Sequence, residues 1–297
     1  MHSSGVDLSD NGEFHDYILR LTQDECVQRR HQGKEQMSDN TPTIDADNLF
    51  DETHCAICQN GAGLDFDFTF AFQPIVDANR REVRAYEALV RGLNNEGAGT
   101  ILQQVTGEAI YRFDQACRVK AVKLASELGL EQQLSINFMP NAVYSPATCI
   151  RTTLAAARQY NFDTSKLVFE FTESETLAET DHLVGIIDAY REMGFTIAID
   201  DYGAGYSRIN LLTDTSPQYL KLDMALIRDC DTNLAKQALI EGTVLTMDKL
   251  GIETIAEGVE TEAEYAWCRA HGIYLFQGYL LARPGFQTLP EPYIPDS

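Results

Sequence analysis

From Phe68 onward the chain alternates short apolar runs with longer stretches of helical periodicity. The runs "FTFAFQPIV", "VRAYEALVR", "LSINFMP", "LVFEFTE", "TIAIDD", "YLKLD", "ETIAEGV" and "YLFQGYLL" read as eight buried strands. Between most of them lie helix-length segments such as "DQACRVKAVKLASELG", "HLVGIIDAYREMG" and "NLAKQALIEGTVLTMDKLG". Gly129, Gly194 and Gly251 fall where helix C-terminal caps are wanted. Eight strands alternating with helices over about 230 residues predict an α/β fold, a TIM-like (β/α)8 barrel. One connection breaks the pattern. Only "DANRREV" separates the first two strands, too short for a crossover helix, so the first strand is expected to pair antiparallel with the second.

Residues 1–66 differ in kind. They hold 13 acidic and 4 basic side chains and few apolar clusters, which predicts a largely irregular, acidic N-terminal extension with one short helix around "FHDYILRLTQDECVQRR". The barrel domain is then 67–297. Within the extension, "HCAIC" gives Cys55 and Cys58 a spacing that can hold zinc, with Cys26 and His31 upstream. A single pair lacks the second half of such a site, and it stays unassigned.

Composition narrows the function. With 297 residues, 44% of them hydrophobic, the chain can bury a sizeable core. No apolar stretch approaches the roughly 20 residues of a membrane span, and the start "MHSSGVDLSDNGEF" lacks a signal-peptide pattern. Seven scattered cysteines fit reduced thiols, so a soluble cytoplasmic protein without membrane partners is expected. A formal net charge of −22 argues against binding DNA or RNA polymers, which depends on basic residues neutralising phosphate.

Against this background the polar residues inside the strands carry the chemistry. Glu87, Asn137, Glu170, Asp200 with Asp201, Lys221, Glu257 and Gln277 each lie within or at the end of a different apolar run. Barrel strands deliver their C-terminal ends to one face, where active sites form. One acid there would be an ordinary cap or surface group. Seven strands contributing carboxylates, two amides and an ammonium to one rim are harder to explain that way, because buried carboxylates repel and resist ionisation unless cations join them. Oxygen donors without His or Cys favour Mg²⁺ or Mn²⁺ over zinc, and the adjacent Asp200 and Asp201 fit a pair of ions acting in displacement at phosphorus.

The same stretches resemble a known family. "YEALVRG" carries Glu87-Ala88-Leu89, the signature of EAL-domain phosphodiesterases, which cleave cyclic di-GMP to linear pGpG. Around it "FQPIVD", "INFMP", "FEFTE", "IDDYGAGYS", "LKLD", "IAEGVET" and "FQGYLLARP" follow in the family's order over about residues 67–285. The resemblance implies the barrel with an antiparallel first strand. It makes Glu87, Asn137, Glu170 and Asp200 ligands of one metal, with Asp200 and Asp201 serving the second. Lys221 and Glu257 would position and activate water, alongside Glu87 as a catalytic residue. Gln73, Leu89, Arg91 and Gln277 would line the substrate site, and Glu173 would anchor the loop "DYGAGYS". Tyr202, Ala204 and Arg208 depart from the family's usual loop residues. A homodimer is implied by resemblance alone. Two functions stay open, a hydrolase and a receptor that binds cyclic di-GMP without cutting it; the complete ligand set favours the hydrolase.

Overall fold

The computed structural model describes residues 64–107, 109–143, 146–172, 180–204 and 209–296. The predicted extension, with Cys55 and Cys58, therefore falls outside the described residues except for its last three positions; Glu173 and Arg208 fall outside them as well. Eight strands close into a barrel: β1 (Thr69–Asp77), β2 (Glu82–Arg91), β3 (Gln133–Asn137), β4 (Leu167–Thr172), β5 (Thr196–Tyr202), β6 (Tyr219–Leu222), β7 (Glu253–Ala256) and β8 (Leu275–Phe276). Strands β2 to β8 run parallel in chain order, and β1 closes the ring antiparallel to both β2 and β8.

The hairpin between β1 and β2 has a local cause. Asp77 accepts hydrogen bonds from the backbone N–H groups of Asn79 and Arg80, each at 2.9 Å, and Arg81 adopts φ 56°. This tight turn leaves no room for a helix. As a result Thr69, at the start of β1, pairs with Arg91, at the end of β2. The chain thus enters the barrel on the rim where the parallel strands end.

Around the strands lie α1 (Ala98–Leu102), α2 (Ala109–Glu127), α3 (Pro146–Gln159), α4 (Thr180–Glu192), α5 (Ile209–Thr215), α6 (Met224–Ile227), α7 (Leu234–Leu250) and α8 (Glu262–Ala270). The predicted C-terminal caps form, with Gly129, Gly194 and Gly251 all at positive φ. Asn233 caps the start of α7 through the N–H groups of Ala235 and Lys236, and Gly251 ends it at φ 72°. Among the described residues no helix is long and apolar enough to cross a membrane.

Two-residue periodicity sorts each strand into two faces. Phe72, Ala88, Ile136, Phe169, Ile199, Leu222, Ala256 and Phe276 point outward and join the core beneath the helices. Ile75, Ala85, Val168, Ala198, Tyr219, Ile255 and Leu275 form a separate cluster that plugs the barrel from inside. The residues two positions from these, on the same inward face, are Gln73, Glu87, Glu170, Asp200, Lys221, Glu257 and Gln277. An apolar plug therefore floors a polar tier.

Two strand expectations need correction. "YLFQGYLL" does not run as one strand: β8 holds only Leu275 and Phe276, and the chain turns at Gly278. A Cβ on Gly278 would lie 2.1 Å from the Val259 carbonyl oxygen, so the backbone passes too close for any side chain. A ninth strand, β9 (Gly285–Phe286), pairs antiparallel with β1 and has no signal in the hydrophobic pattern.

Candidate active site

Lys221, fully buried at the centre of the polar tier, organises the site. Its Nζ lies 2.7 Å from Glu257, 2.8 Å from Glu170, 3.2 Å from Asp200 and 3.3 Å from Glu87. An ammonium has three protons, so it cannot satisfy four carboxylates. Burial alone would lower the Lys221 pKa; the carboxylates, Asp200 foremost, override it and hold Lys221 well above its ordinary value. Glu170 is pushed up to about 8, first by burial and further by Glu87 and Asp200, with Lys221 opposing. Burial, with Asp200 beside it, likewise drives Glu257 well above the carboxylate range.

Glu87 anchors the other side. Its Oε1 accepts from Asn137 Nδ2 at 2.9 Å and its Oε2 from Gln277 Nε2 at 2.7 Å. Gln277 also reaches Gln73 Oε1 at 3.3 Å, and Gln73 donates to the Ala282 carbonyl at 3.1 Å. Register places Gln73 directly opposite Glu87. Leu89 and Arg91 follow on the same inward face of β2, both buried; Arg91 donates to the Val90 carbonyl at 2.7 Å.

The adjacent aspartates should point to opposite faces of β5. They do not, because the register of β5 against β6 shifts after Ile199 and Asp201 adopts φ 56°. This bulge turns both carboxylates to one side. Oxygens of Glu87, Glu170 and Asp200 come within 4.8 Å of one another, as do those of Asp200, Asp201 and Glu257. Asp200 belongs to both groups.

Five buried carboxylates against one ammonium leave four formal negative charges, the charge of two divalent cations. The donors are oxygens throughout, which suits hard ions such as Mg²⁺ and Mn²⁺. Two contributors escaped the sequence reading. Ser135 donates its hydroxyl to Glu170; its position two residues before Asn137 on β3 was the available signal. Behind the strands, Asp114 and Arg118 form a buried pair in which Arg118 donates to Tyr190 at 2.9 Å and Asp114 accepts from the Met139 N–H at 3.0 Å. Their i, i+4 spacing on a helix could have flagged them.

A family model described as the EAL domain matches residues 62–284. Among solved structures, a standalone EAL protein from Vibrio cholerae O395 in a c-di-GMP bound form superposes with a TM-score of 0.76 and 49% identity, over 78% of this chain and 98% of that one. Klebsiella pneumoniae BlrP1 in a manganese/cyclic di-GMP complex at pH 9.0 gives a TM-score of 0.72 and 34% identity, over 76% and 58%. Among curated relatives, the blue light- and temperature-regulated antirepressor BluF of Escherichia coli is 29% identical over 75% of this chain and 55% of its own length. The cyclic di-GMP phosphodiesterase PA2567 of Pseudomonas aeruginosa is 28% identical over 77% and 40%. The chain thus spans about half the length, or less, of these curated relatives.

Proposed function

The chain belongs to the EAL-domain family, and we propose on that premise that it hydrolyses cyclic di-GMP to linear pGpG with the help of two divalent cations, Mg²⁺ or Mn²⁺. The observation that carries this reading is the tier of five carboxylates around Lys221, whose excess charge matches two such ions. Glu87, Asn137, Glu170 and Asp200 would hold one ion, and Asp200 with Asp201 the other. Bound there, the cations would acidify water and offset charge developing on the phosphate.

The protein's own groups supply the rest. Hydrolysis breaks one phosphate ester bond, and the water oxygen takes the place of the departing ribose oxygen. Glu257, beside Asp200 and Asp201, would orient the attacking water, whose proton ends on the departing ribose oxygen, while Lys221 keeps Glu257 and Glu170 in place. Arg91, with its fork of donors, faces a substrate phosphate. Gln73, Leu89 and Gln277 line the substrate; Glu173, outside the described residues, is proposed by resemblance alone as the anchor of the loop after β5. The dry floor of Ile75, Val168 and Ile255 keeps these interactions out of bulk water.

The reaction would serve second-messenger signalling in the cytoplasm; the free thiols of Cys117, Cys149, Cys230 and Cys268 support a reducing compartment. A homodimer is the assembly we propose, and α7 supports it. Leu234, Leu239, Leu245 and Leu250 stand 80%, 59%, 57% and 50% exposed on one side of that helix. They are placed symmetrically about Gly242, which has open space above it. In an antiparallel pair crossing at Gly242, Leu239 meets Leu245, Leu234 meets Leu250, and Ala238 meets Thr246. That face carries no acidic residue on a chain of charge −22, so self-repulsion is least there. The four leucines expose on the order of 400 Å² per copy. With the small residues between them they approach the roughly 1,200 Å² at which specific interfaces begin.

Incubation with cyclic di-GMP and Mg²⁺, followed by chromatography, tests the activity. Wild type should yield linear pGpG and Glu87→Ala none. Intact substrate from metal-loaded wild type would reject the hydrolase in favour of a non-cutting receptor, a role consistent with the likeness to an antirepressor.

A further inference from the structure

Ser135 is 1% exposed and sits at the boundary between the apolar plug and the carboxylate tier. On β3 it shares the inward face with Asn137, and its register neighbours are Glu87 and Val168. Of these two neighbours Val168 offers no side-chain hydrogen-bond partner, and the Glu87 carboxylate is taken up by Asn137, Gln277 and Lys221. A hydroxyl buried there without a partner costs about 1–3 kcal/mol, so its presence calls for an acceptor. That acceptor is Glu170 Oε1.

We propose that Ser135 is the positioning residue for Glu170, fixing the plane of that carboxylate for metal binding. The inference rests on the reading of Glu170 as a metal ligand. Glu170 is held from two directions, with Oε1 bonded to Ser135 and Oε2 to Lys221 at 2.8 Å. Lys221 is shared among four carboxylates and cannot by itself define the orientation of any one. Ser135 is committed to Glu170 alone. Without the hydroxyl, Oε1 would face the apolar tier with no donor, and the carboxylate would turn toward Lys221 and away from the cation. Partners of this kind typically contribute about 10–100-fold to metal affinity.

The test is a titration of the full-length protein with Mn²⁺ alone, reading free ion by electron paramagnetic resonance. Ser135→Ala should bind at least about tenfold more weakly than wild type. Ser135→Thr, which restores the hydroxyl, should bind within about threefold of wild type. The spectrum of bound Mn²⁺ gives a second readout: it should change in Ser135→Ala because the ligand carboxylate has turned. Equal affinity and an unchanged spectrum in Ser135→Ala would overturn the proposal. Turnover of cyclic di-GMP by wild type is scored separately. A wild type that binds Mn²⁺ but leaves the substrate intact sinks the phosphodiesterase reading while the titration still decides the role of Ser135. A wild type that binds no Mn²⁺ sinks both.

Discussion

Replacing Lys221 with methionine keeps most of the unbranched side chain and removes the cation among Glu87, Glu170, Asp200 and Glu257. Removing one partner of a fully buried ion pair costs about 3–5 kcal/mol, since the remaining charge is left uncompensated. Here four carboxylates lose the same counterion. For a domain of this size each kcal/mol lowers Tm by about 2–4 °C, so metal-free Lys221→Met should melt roughly 6–20 °C below wild type. The pH of the measurement matters. Lys221 opposes the rise of the Glu170 pKa, so without it Glu170 holds its proton to still higher pH, and the loss should be larger at pH 8.5 than at pH 6. At pH 6 Glu170 takes up a proton and the loss should shrink. Excess Mg²⁺ should recover most of the difference, because two divalent cations replace the missing positive charge. Calorimetry in EDTA and in Mg²⁺ at both pH values checks this. A drop of less than about 3 °C in EDTA at pH 8.5 would refute the view that Lys221 holds the metal-free tier together.

Three further outcomes are expected. Glu170 binds its proton more tightly in the folded chain, at about 8 against an ordinary 4.5, so the metal-free protein should lose stability as pH rises from 4.5 to 8. Urea denaturation in EDTA would disprove it by showing a flat or rising profile. Ca²⁺ should suppress turnover relative to Mg²⁺, because it takes about 6–8 ligands at longer distances and spreads the metal pair; equal rates would remove the two-metal argument. Leu239→Glu combined with Leu245→Glu should weaken self-association at least about a hundredfold, since both changes occur twice on a two-fold axis. Sedimentation would show an unchanged dimer if α7 is not the interface.

Much of this protein is written in local pattern. Apolar alternation with period two marks the strands and fixes which residues point inward, so Glu87, Glu170, Asp200, Lys221 and Glu257 were legible as one set before any fold was seen. The short link after Asp77 forced the antiparallel first strand, and Gly251 marked the end of α7, because turn and cap chemistry act over a few residues. What only the tertiary structure decided depends on closure and register. Residues 87 and 277 meet because the barrel closes, and nothing near either one encodes that distance. Asp201 faces the site because a bulge against β6 reverses its expected direction. Lys221 could read as a surface lysine until four other strands surrounded it with carboxylates, and Ser135 as filler until β4 brought Glu170 to its hydroxyl. Side-chain type and spacing are local properties; which charge finds which partner is settled by the stagger of strands far apart in the chain.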